Sequence, residues 1–430
     1  MVTTAFISVY GQRVGAVAWD PEREIARFEY DPKFNVNQLP IAPIKMPVKN
    51  RIYSFPEFKD NETFKGMPGL LADALPDRYG KELINAWLAR QGRPDNSLNP
   101  VELLCFIGKR GMGALEFEPV LTKEVPSYEV ELTELIETTK ALLEKKENIV
   151  LTTKQKMEDV MMDILKMGTS AGGARPKAII AYNEQTGQIK SGQTLVEEGF
   201  EHWLIKFDDV SDVQFGTSTV YGRIEMAYYK MAIEFGIEMM ESRLIEENNR
   251  VHFMTKRFDR MEGNQKIHSQ TLCALQHYDF ANITSYSYEQ IFQTMRQLRL
   301  SYAEAEQMFK RMVFNVLARN CDDHTKNFSF LMTKEGKWKL APAYDVCFAY
   351  RPDSVWVSQH NLSINGKRKN IMREDLLVVA KQNSIRNPNA VIDACLKVVG
   401  QWRTYATNYQ VEEQKMTAIE QVLNSLLTSF

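Results

Sequence analysis

The sequence predicts an α+β protein with a small N-terminal α/β domain ahead of a two-lobed core whose second lobe is mostly helical. Three observations predict it. Residues 1–30 carry short apolar runs between turn residues, the mark of antiparallel strands. Strand patterning returns between residues 177 and 207. Beyond about residue 285 apolar residues recur at helical spacing, interrupted only by short strand-like runs around Phe328–Met332 and Trp338–Leu340.

Ala5–Tyr10 reads as a strand, Gly11-Gln12 as a turn and Arg13–Trp19 as a second strand. Asp20-Pro21 then punctuates before Ile25–Tyr30, and a meander is the economical arrangement. Residues 31–70 are rich in Pro, Asn and Lys and read as loop, followed by helical runs at Leu70–Ala74 and Tyr79–Gln91. Two longer helices are expected at Val130–Lys146 and Thr153–Met167. Their stripes at helical spacing (Leu132, Leu135, Ile136, Thr139, Leu142, Leu143; Met157, Val160, Met161, Ile164) read as core packing. Pro119–Ser127 is the best boundary between an N-terminal domain and the remainder. The expected domains are 1–118, 119–255 and 256–430.

Composition narrows the function classes. Hydrophobic residues make up 44% and charged residues 25%, enough for a core without metal or disulfide staples. Lys and Arg number 53 against 55 Asp and Glu, so no global charge draws the chain to DNA or to an anionic membrane. The five cysteines (Cys105, Cys273, Cys321, Cys347, Cys395) are far apart, and no CxxC pair suggests a zinc site or a disulfide framework. The N-terminus has no signal-peptide pattern, and no apolar run has membrane-spanning length. A cytoplasmic protein is expected.

The chemistry concentrates in Asn320-Cys-Asp322-Asp323-His324-Thr-Lys-Asn327. Phosphoryl transfer to a hydroxyl needs a carboxylate to take or orient the hydroxyl proton, and a nearby amide oxygen to hold Mg²⁺. Kinases place that Asp and Asn five residues apart on one loop, as Asp322 and Asn327 are. An ordinary turn explains such a pair equally well. The second segment, Leu340-Ala-Pro-Ala-Tyr344-Asp345, decides between them: an Asp follows a short strand eighteen residues beyond Asn327, where a kinase carries its metal-binding carboxylate.

Upstream, Gly168–Gly173 is a small-residue loop ahead of a strand, suited to an amide nest for phosphates or to a plain linker. Lys206 ends the apolar strand Trp203-Leu-Ile, and Glu225 stands at the head of a helical run and is a candidate partner for it. Loop, strand lysine, helix glutamate, hinge-like strand, Asp/Asn loop and metal Asp follow one another in the order a two-lobed kinase requires.

Several blocks resemble the HipA-type serine/threonine kinases: Ser170-Ala-Gly-Gly-Ala-Arg-Pro-Lys177, Trp203–Lys206, Lys256-Arg-Phe-Asp-Arg260, Asn320–Asn327 and Tyr344-Asp345. Gly11–Gly15, Leu75-Pro-Asp77 and Ile107–Ala114 resemble that family's N-terminal domain, and Asn361–Gly366 and Ile371–Asp375 match near the C-terminus. The resemblance implies a fold closer to phosphoinositide kinases than to ordinary protein kinases, with ATP and Mg²⁺ as cofactors. It implies Asp322 as catalytic base and Asn327 and Asp345 at the metal. It also implies that Ser170, Ala171, Gly172, Gly173 and Lys206 hold the phosphates, that the Met254–Phe258 segment (Lys256 and Phe258 included) meets the adenine, and that His324 and Tyr344 line the phosphate side. Ser170 matches the loop serine that the family autophosphorylates. Partners implied are a small helix-turn-helix antitoxin, DNA only through that antitoxin, and a translation component such as an aminoacyl-tRNA synthetase as substrate, with no membrane. Lys256 stands where a glutamate is common, and the loop reads Gly-Gly-Ala-Arg-Pro in place of a Gly-Ala-Gln form. Two alternatives stay open: a small-molecule phosphotransferase of the aminoglycoside or choline kinase kind, and an inactive pseudokinase acting as antitoxin-binding co-regulator.

Overall fold

The computed structural model describes residues 2–37, 39–121, 132–143, 176–192, 195–208, 221–428 and 430. They fall into two compact units. Unit one comprises Met1–Thr219, Arg243–Ser269 and Thr333–Gly336; unit two comprises Val220–Ser242, Gln270–Met332 and Lys337–Phe430.

Unit one begins with the expected meander: β1 (Thr4–Val9), β2 (Gln12–Asp20) and β3 (Ile25–Tyr30), antiparallel throughout. Its first turn is Tyr10-Gly11, both at positive φ (51° and 75°), a pairing that matches the twist of the strands it joins. Gln12, expected in the turn, opens β2 instead. β4 (Ile52–Tyr53) and β5 (Leu115–Glu118) complete a sheet in the order β4-β3-β2-β1-β5. The 31–70 stretch is mostly loop, with the short helix α1 (Pro32–Asn37) inside it and α2 (Gly69–Ala72) at its end. Helix α3 (Arg78–Arg90) starts on Asp77, whose side chain accepts the Gly80 amide; α4 (Pro100–Ile107) starts on an Asn99–Glu102 capping box. Helix α5 (Leu132–Leu143) lies inside the span expected at Val130–Lys146. The helix expected at Thr153–Met167 and the small-residue loop after it lie outside the described residues.

A second sheet runs β7-β6-β8-β10-β9, from β6 (Lys177–Tyr182), β7 (Ile189–Ser191), β8 (Glu201–Lys206), β9 (Ser242–Glu247) and β10 (Arg250–Lys256). It shares one core with the N-terminal helices. Tyr79, Leu83, Ile84, Leu88 and Phe106 pack with Leu132, Ile136, Ile180, Trp203, Ile205 and Met254, all buried. Each such side chain contributes about 1.5–3 kcal/mol by leaving water. Two polar ties reinforce this seam. Lys177 and Asp77 form an ion pair at 2.9 Å with side chains 2% and 9% exposed. The buried Arg260 donates to the carbonyls of Gly111 and Gly113, while Asp259 accepts the Gly113 amide. The N-terminal segment is therefore docked on the second sheet.

Unit two is mostly helical: α6 (Tyr221–Glu234), α7 (Leu272–Gln276), α8 (Tyr288–Gln297), α9 (Tyr302–Leu317), then α10 (Arg373–Gln382), α11 (Pro388–Val399), α12 (Trp402–Asn408) and α13 (Glu413–Leu427). Capping boxes at Ser287/Gln290 and Ser301/Glu304 start α8 and α9. Helix α9 is the axis of the unit, with Met308, Phe309, Met312, Val313 and Leu317 fully buried. Tyr228 of α6 ties to the rest through Trp402, whose ring centre is 5.4 Å away, and through a 2.8 Å hydrogen bond to the Ala318 carbonyl. Short strands at Ser329–Met332 and Trp338–Leu340 pair antiparallel where strands are expected.

Candidate active site

The Asn320–Asn327 loop leaves the end of α9 and is fastened from behind at nearly every residue. Arg319 turns the chain with φ 53°, and the amides of Ala349 and Cys321 exchange hydrogen bonds with the Arg319 and Ala349 carbonyls. The Asn320 amide and side chain both bond Asn315. The Asn361 side-chain amide donates to the Cys321 carbonyl at 2.8 Å. Thr325 donates to the Tyr278 carbonyl at 2.8 Å.

On this support the two neighbouring acids point opposite ways. The Asp322 side chain is 48% exposed, whereas that of Asp323 is fully buried. Asn327, five residues on, turns its amide nitrogen back to the Asp322 carbonyl at 2.7 Å, so its side-chain oxygen takes no part in that bond. His324 caps the short 3₁₀ turn Thr325–Asn327, accepting the Lys326 amide on Nδ1, and its Nε2 lies 3.8 Å from Asp322. Its ring stands 5.3 Å from that of Phe280.

Tyr344 brings the second segment to the loop. Its hydroxyl donates to the Lys326 carbonyl at 2.6 Å and lies 2.5 Å from the Ser329 hydroxyl. Residue 345 is thereby held beside the stretch that carries Asn327. Asp345 itself adopts a left-handed backbone (φ 51°), which costs most side chains about 1 kcal/mol and which Asp tolerates better than most. The run before it is held by Arg311, which donates to the Ala341 carbonyl at 2.7 Å.

Among the described residues no group of three or more His, Cys, Asp and Glu side chains forms a metal cage. A site of one carboxylate and one amide oxygen fits Mg²⁺, which keeps several waters and takes its other ligands from substrate phosphates. Asp345 and Asn327 would offer such a set, hard, oxygen-only and sparse.

In unit one, Lys206 closes β8 directly opposite Phe253 on β10, its ammonium 5.8 Å from the ring centre. Lys256 is three residues further along β10, so alternation puts its side chain on the opposite face of the sheet. There its ammonium pairs with Glu201. Phe258 follows, half-buried. Glu225 is buried in α6 of unit two. Ser170, Ala171, Gly172 and Gly173 lie outside the described residues.

Sequence reading missed the support of the loop: Asp323, His360, Tyr288 and Asn315. The signals were present as an Asp-Asp doublet and as Asn315, one polar residue inside the apolar run Met312–Leu317. No helix among the described residues is long and apolar enough to cross a membrane.

Comparison with known proteins identifies the family. The HipA-like C-terminal domain matches residues 169–428, which include the loop, Tyr344 and Asp345. The chain belongs to the HipA family. The HipA N-terminal domain matches residues 5–118. Among solved structures, the HipA of a Shewanella oneidensis toxin–antitoxin complex with HipB and operator DNA superposes with a TM-score of 0.68 over 98% of this chain and 95% of that one. At 15% identity the likeness shows a shared two-lobed, kinase-like fold. A Helicobacter pylori proinflammatory kinase, CtkA, gives a TM-score of 0.37 at 14% identity, covering 55% of this chain and 90% of that one. A Haemophilus influenzae protein described as "Putative kinase" is 30% identical over 134 residues, 28% of this chain. The HipA-family chain spans 39% of that relative's length.

Proposed function

We propose that this HipA-family chain is an ATP- and Mg²⁺-dependent serine/threonine protein kinase. One observation carries the reading: the loop is built so that Asp322 faces outward while Tyr344 fastens the Asp345 segment to the stretch bearing Asn327. A carboxylate, an amide and a second carboxylate, in that order, are what transfer of a phosphoryl group to a hydroxyl requires.

In the proposed reaction the acceptor oxygen bonds to the γ-phosphorus as the bond to the ADP oxygen breaks, and Asp322 takes the hydroxyl proton. His324, its Nε2 3.8 Å from Asp322, would line the phosphate side with Tyr344. Asn327 and Asp345 would hold Mg²⁺, and the chemistry supplied there is neutralisation of charge on the phosphates. Lys206, with Glu225 as supporting partner, and the Ser170–Gly173 loop would hold the polyphosphate. The Met254–Phe258 segment would meet the adenine, with Lys256 engaged through its main chain because its ammonium is on the far face of the sheet. By analogy with the Shewanella complex, a HipB-like helix-turn-helix antitoxin would be the partner and would supply any DNA contact. A translation component such as an aminoacyl-tRNA synthetase would be the substrate in a cytoplasmic setting, and Ser170 the autophosphorylated residue.

Asp322→Ala should lower transfer roughly 10²–10⁴-fold with the fold intact. Asp345→Ala should do the same and also weaken Mg²⁺-dependent nucleotide binding. Labelled ATP should deliver phosphate to protein; label entering only small molecules, or near-normal activity in either variant, overturns the assignment. Incubation with Mg·ATP should add one phosphate to the 168–177 peptide and reduce ATP affinity in parallel. Phosphate gained there with undiminished affinity removes Ser170 as a switch.

A further inference from the structure

We infer that Asp323 is a positioning residue for the transfer: its buried carboxylate, held by Tyr288, His360 and Asn361, sets the direction in which Asp322 points. The inference rests on the kinase reading above and goes beyond it, because Asp323 touches neither acceptor nor nucleotide in that reading.

The geometry is specific. One Asp323 oxygen accepts the Tyr288 hydroxyl at 2.9 Å and the His360 Nδ1–H at 2.9 Å; the other accepts the Asn361 amide at 2.7 Å. Tyr288 in turn accepts from the Asn315 side chain at 2.9 Å, and Asn315 holds Asn320 on the other side of the loop. Asn361 spans the site twice, since its side-chain nitrogen also donates to the Cys321 carbonyl. Of the peptide groups around Asp322, the Cys321 carbonyl is taken by Asn361 and the Asp322 carbonyl by Asn327. The outward acid therefore keeps little freedom beyond rotation of its own side chain.

The chemistry of the inner acid supports the same conclusion. Burial alone would lower the imidazole pKa of His360, but the adjacent Asp323 carboxylate, with Cys321 and the hydrogen bonds, outweighs it and pushes it up to about 10. Asp323 thus faces a cation, a phenol and a peptide amide with no water-facing edge. A carboxylate so enclosed admits one orientation, and a loop built on it inherits that orientation. Asn361 opens the Asn361–Gly366 block, with His360 just before it, more than thirty residues after the loop, and that block otherwise has no contact with the reacting groups in this reading.

Two variants test the inference. Asp323→Asn keeps size and one acceptor but loses the charge that His360 faces. Asn361→Ala leaves Asp323 in place and removes the tie to Cys321. Both should lower kcat roughly tenfold to a hundredfold, the penalty of a small misplacement of a reacting group, with the KM for ATP within about twofold of wild type. Both should also raise amide exchange in the 318–328 peptide. A kcat within about twofold of wild type in both variants, or loss confined to ATP affinity, overturns the inference. If Asp323→Asn does not fold, Asn361→Ala decides. If wild type itself transfers no phosphate, the kinase reading fails, and unchanged 318–328 exchange in the variants then overturns the positioning role separately.

Discussion

Asp259 in unit one and Asp323 in unit two are both fully buried carboxylates, and they are neutralised differently. Asp259 is gripped by two guanidiniums: Arg257 at 2.8 and 2.7 Å and Arg260 at 2.7 Å, themselves buried. Burial pushes its carboxyl up, but the two arginines outweigh that and hold it well below the usual range. Both arginines also donate to the carbonyl of Gly111, and Arg260 to that of Gly113, so the cluster acts as a rivet between the N-terminal segment and the second sheet. Asp323 has one titratable cation and two neutral donors, and its neighbours lead to the loop that carries the outward-facing Asp322. An arginine pair fixes two surfaces against each other; a mixed network fixes the direction of a few peptide groups. The first is worth most in stability, the second in alignment.

Breaking the rivet should give the largest effect on stability. Asp259→Ala would leave two buried guanidiniums facing each other, and losing one partner of such a cluster costs about 3–5 kcal/mol. Arg260 is already pulled down to about 10 by burial and by the Arg257 charge, and without Asp259 nothing of equal strength opposes either. Urea denaturation should show a large drop in midpoint. A drop under about 1 kcal/mol would mean that the shared apolar core and the Lys177–Asp77 pair suffice to join the segment to the sheet.

Titration separates the two regions next. His360 has its pKa raised to about 10, so the stability it contributes is complete below about pH 6.5 and is lost as pH rises toward 10. In unit one His202, His252 and His268 run the other way. Burial lowers each to about 4, so their effect is to erode stability as pH falls from about 6.5 toward 4. Wild type should therefore lose stability between pH 7 and 9 in unit two, on the order of 3 kcal/mol at most. His360→Gln should flatten that limb and leave the acid limb unchanged. Denaturation midpoints at pH 5, 7 and 9 for both proteins check this, and a parallel alkaline limb in the variant would remove His360 as its source.

What the sequence made legible follows the same division. Periodic elements were read closely: β3, β6 and the two short strands of unit two fall where alternation puts them, and α5 lies inside its expected span. The β9–β10 hairpin was not read, although Asn248-Asn249 at its turn, with φ of 44° and 64°, is a residue pair that tolerates the left-handed region. At the proposed site, Asp322, Asn327 and Asp345 stand out in the sequence because the chemistry proposed for them would impose a spacing along one stretch of chain. Asp323, Tyr288 and His360 were not, since a buried network is assembled from residues far apart in sequence and no local pattern announces it. Asp77 and Lys177 show the same limit: each sits in a block noticed for other reasons, and only the fold joins them.

The smallest expected effect sharpens the comparison inside the second sheet, between Lys206 and Lys256. Both end strands, and both were expected at the nucleotide. Pairing of Phe253 with Lys206 and of Trp203 with Lys256 fixes them on opposite faces. Lys256 is 30% exposed and its partner Glu201 39%, so their ion pair is of the kind worth about 0–1 kcal/mol. Lys206→Ala should raise the KM for ATP and lower turnover, because an ammonium that holds the polyphosphate in line is lost. Lys256→Ala should change the KM for ATP by less than about twofold and stability by less than about 1 kcal/mol. A large rise in KM from Lys256→Ala would mean that the nucleotide lies on the Trp203 face of the sheet, and the assignment of Lys206 to the phosphates would fall with it.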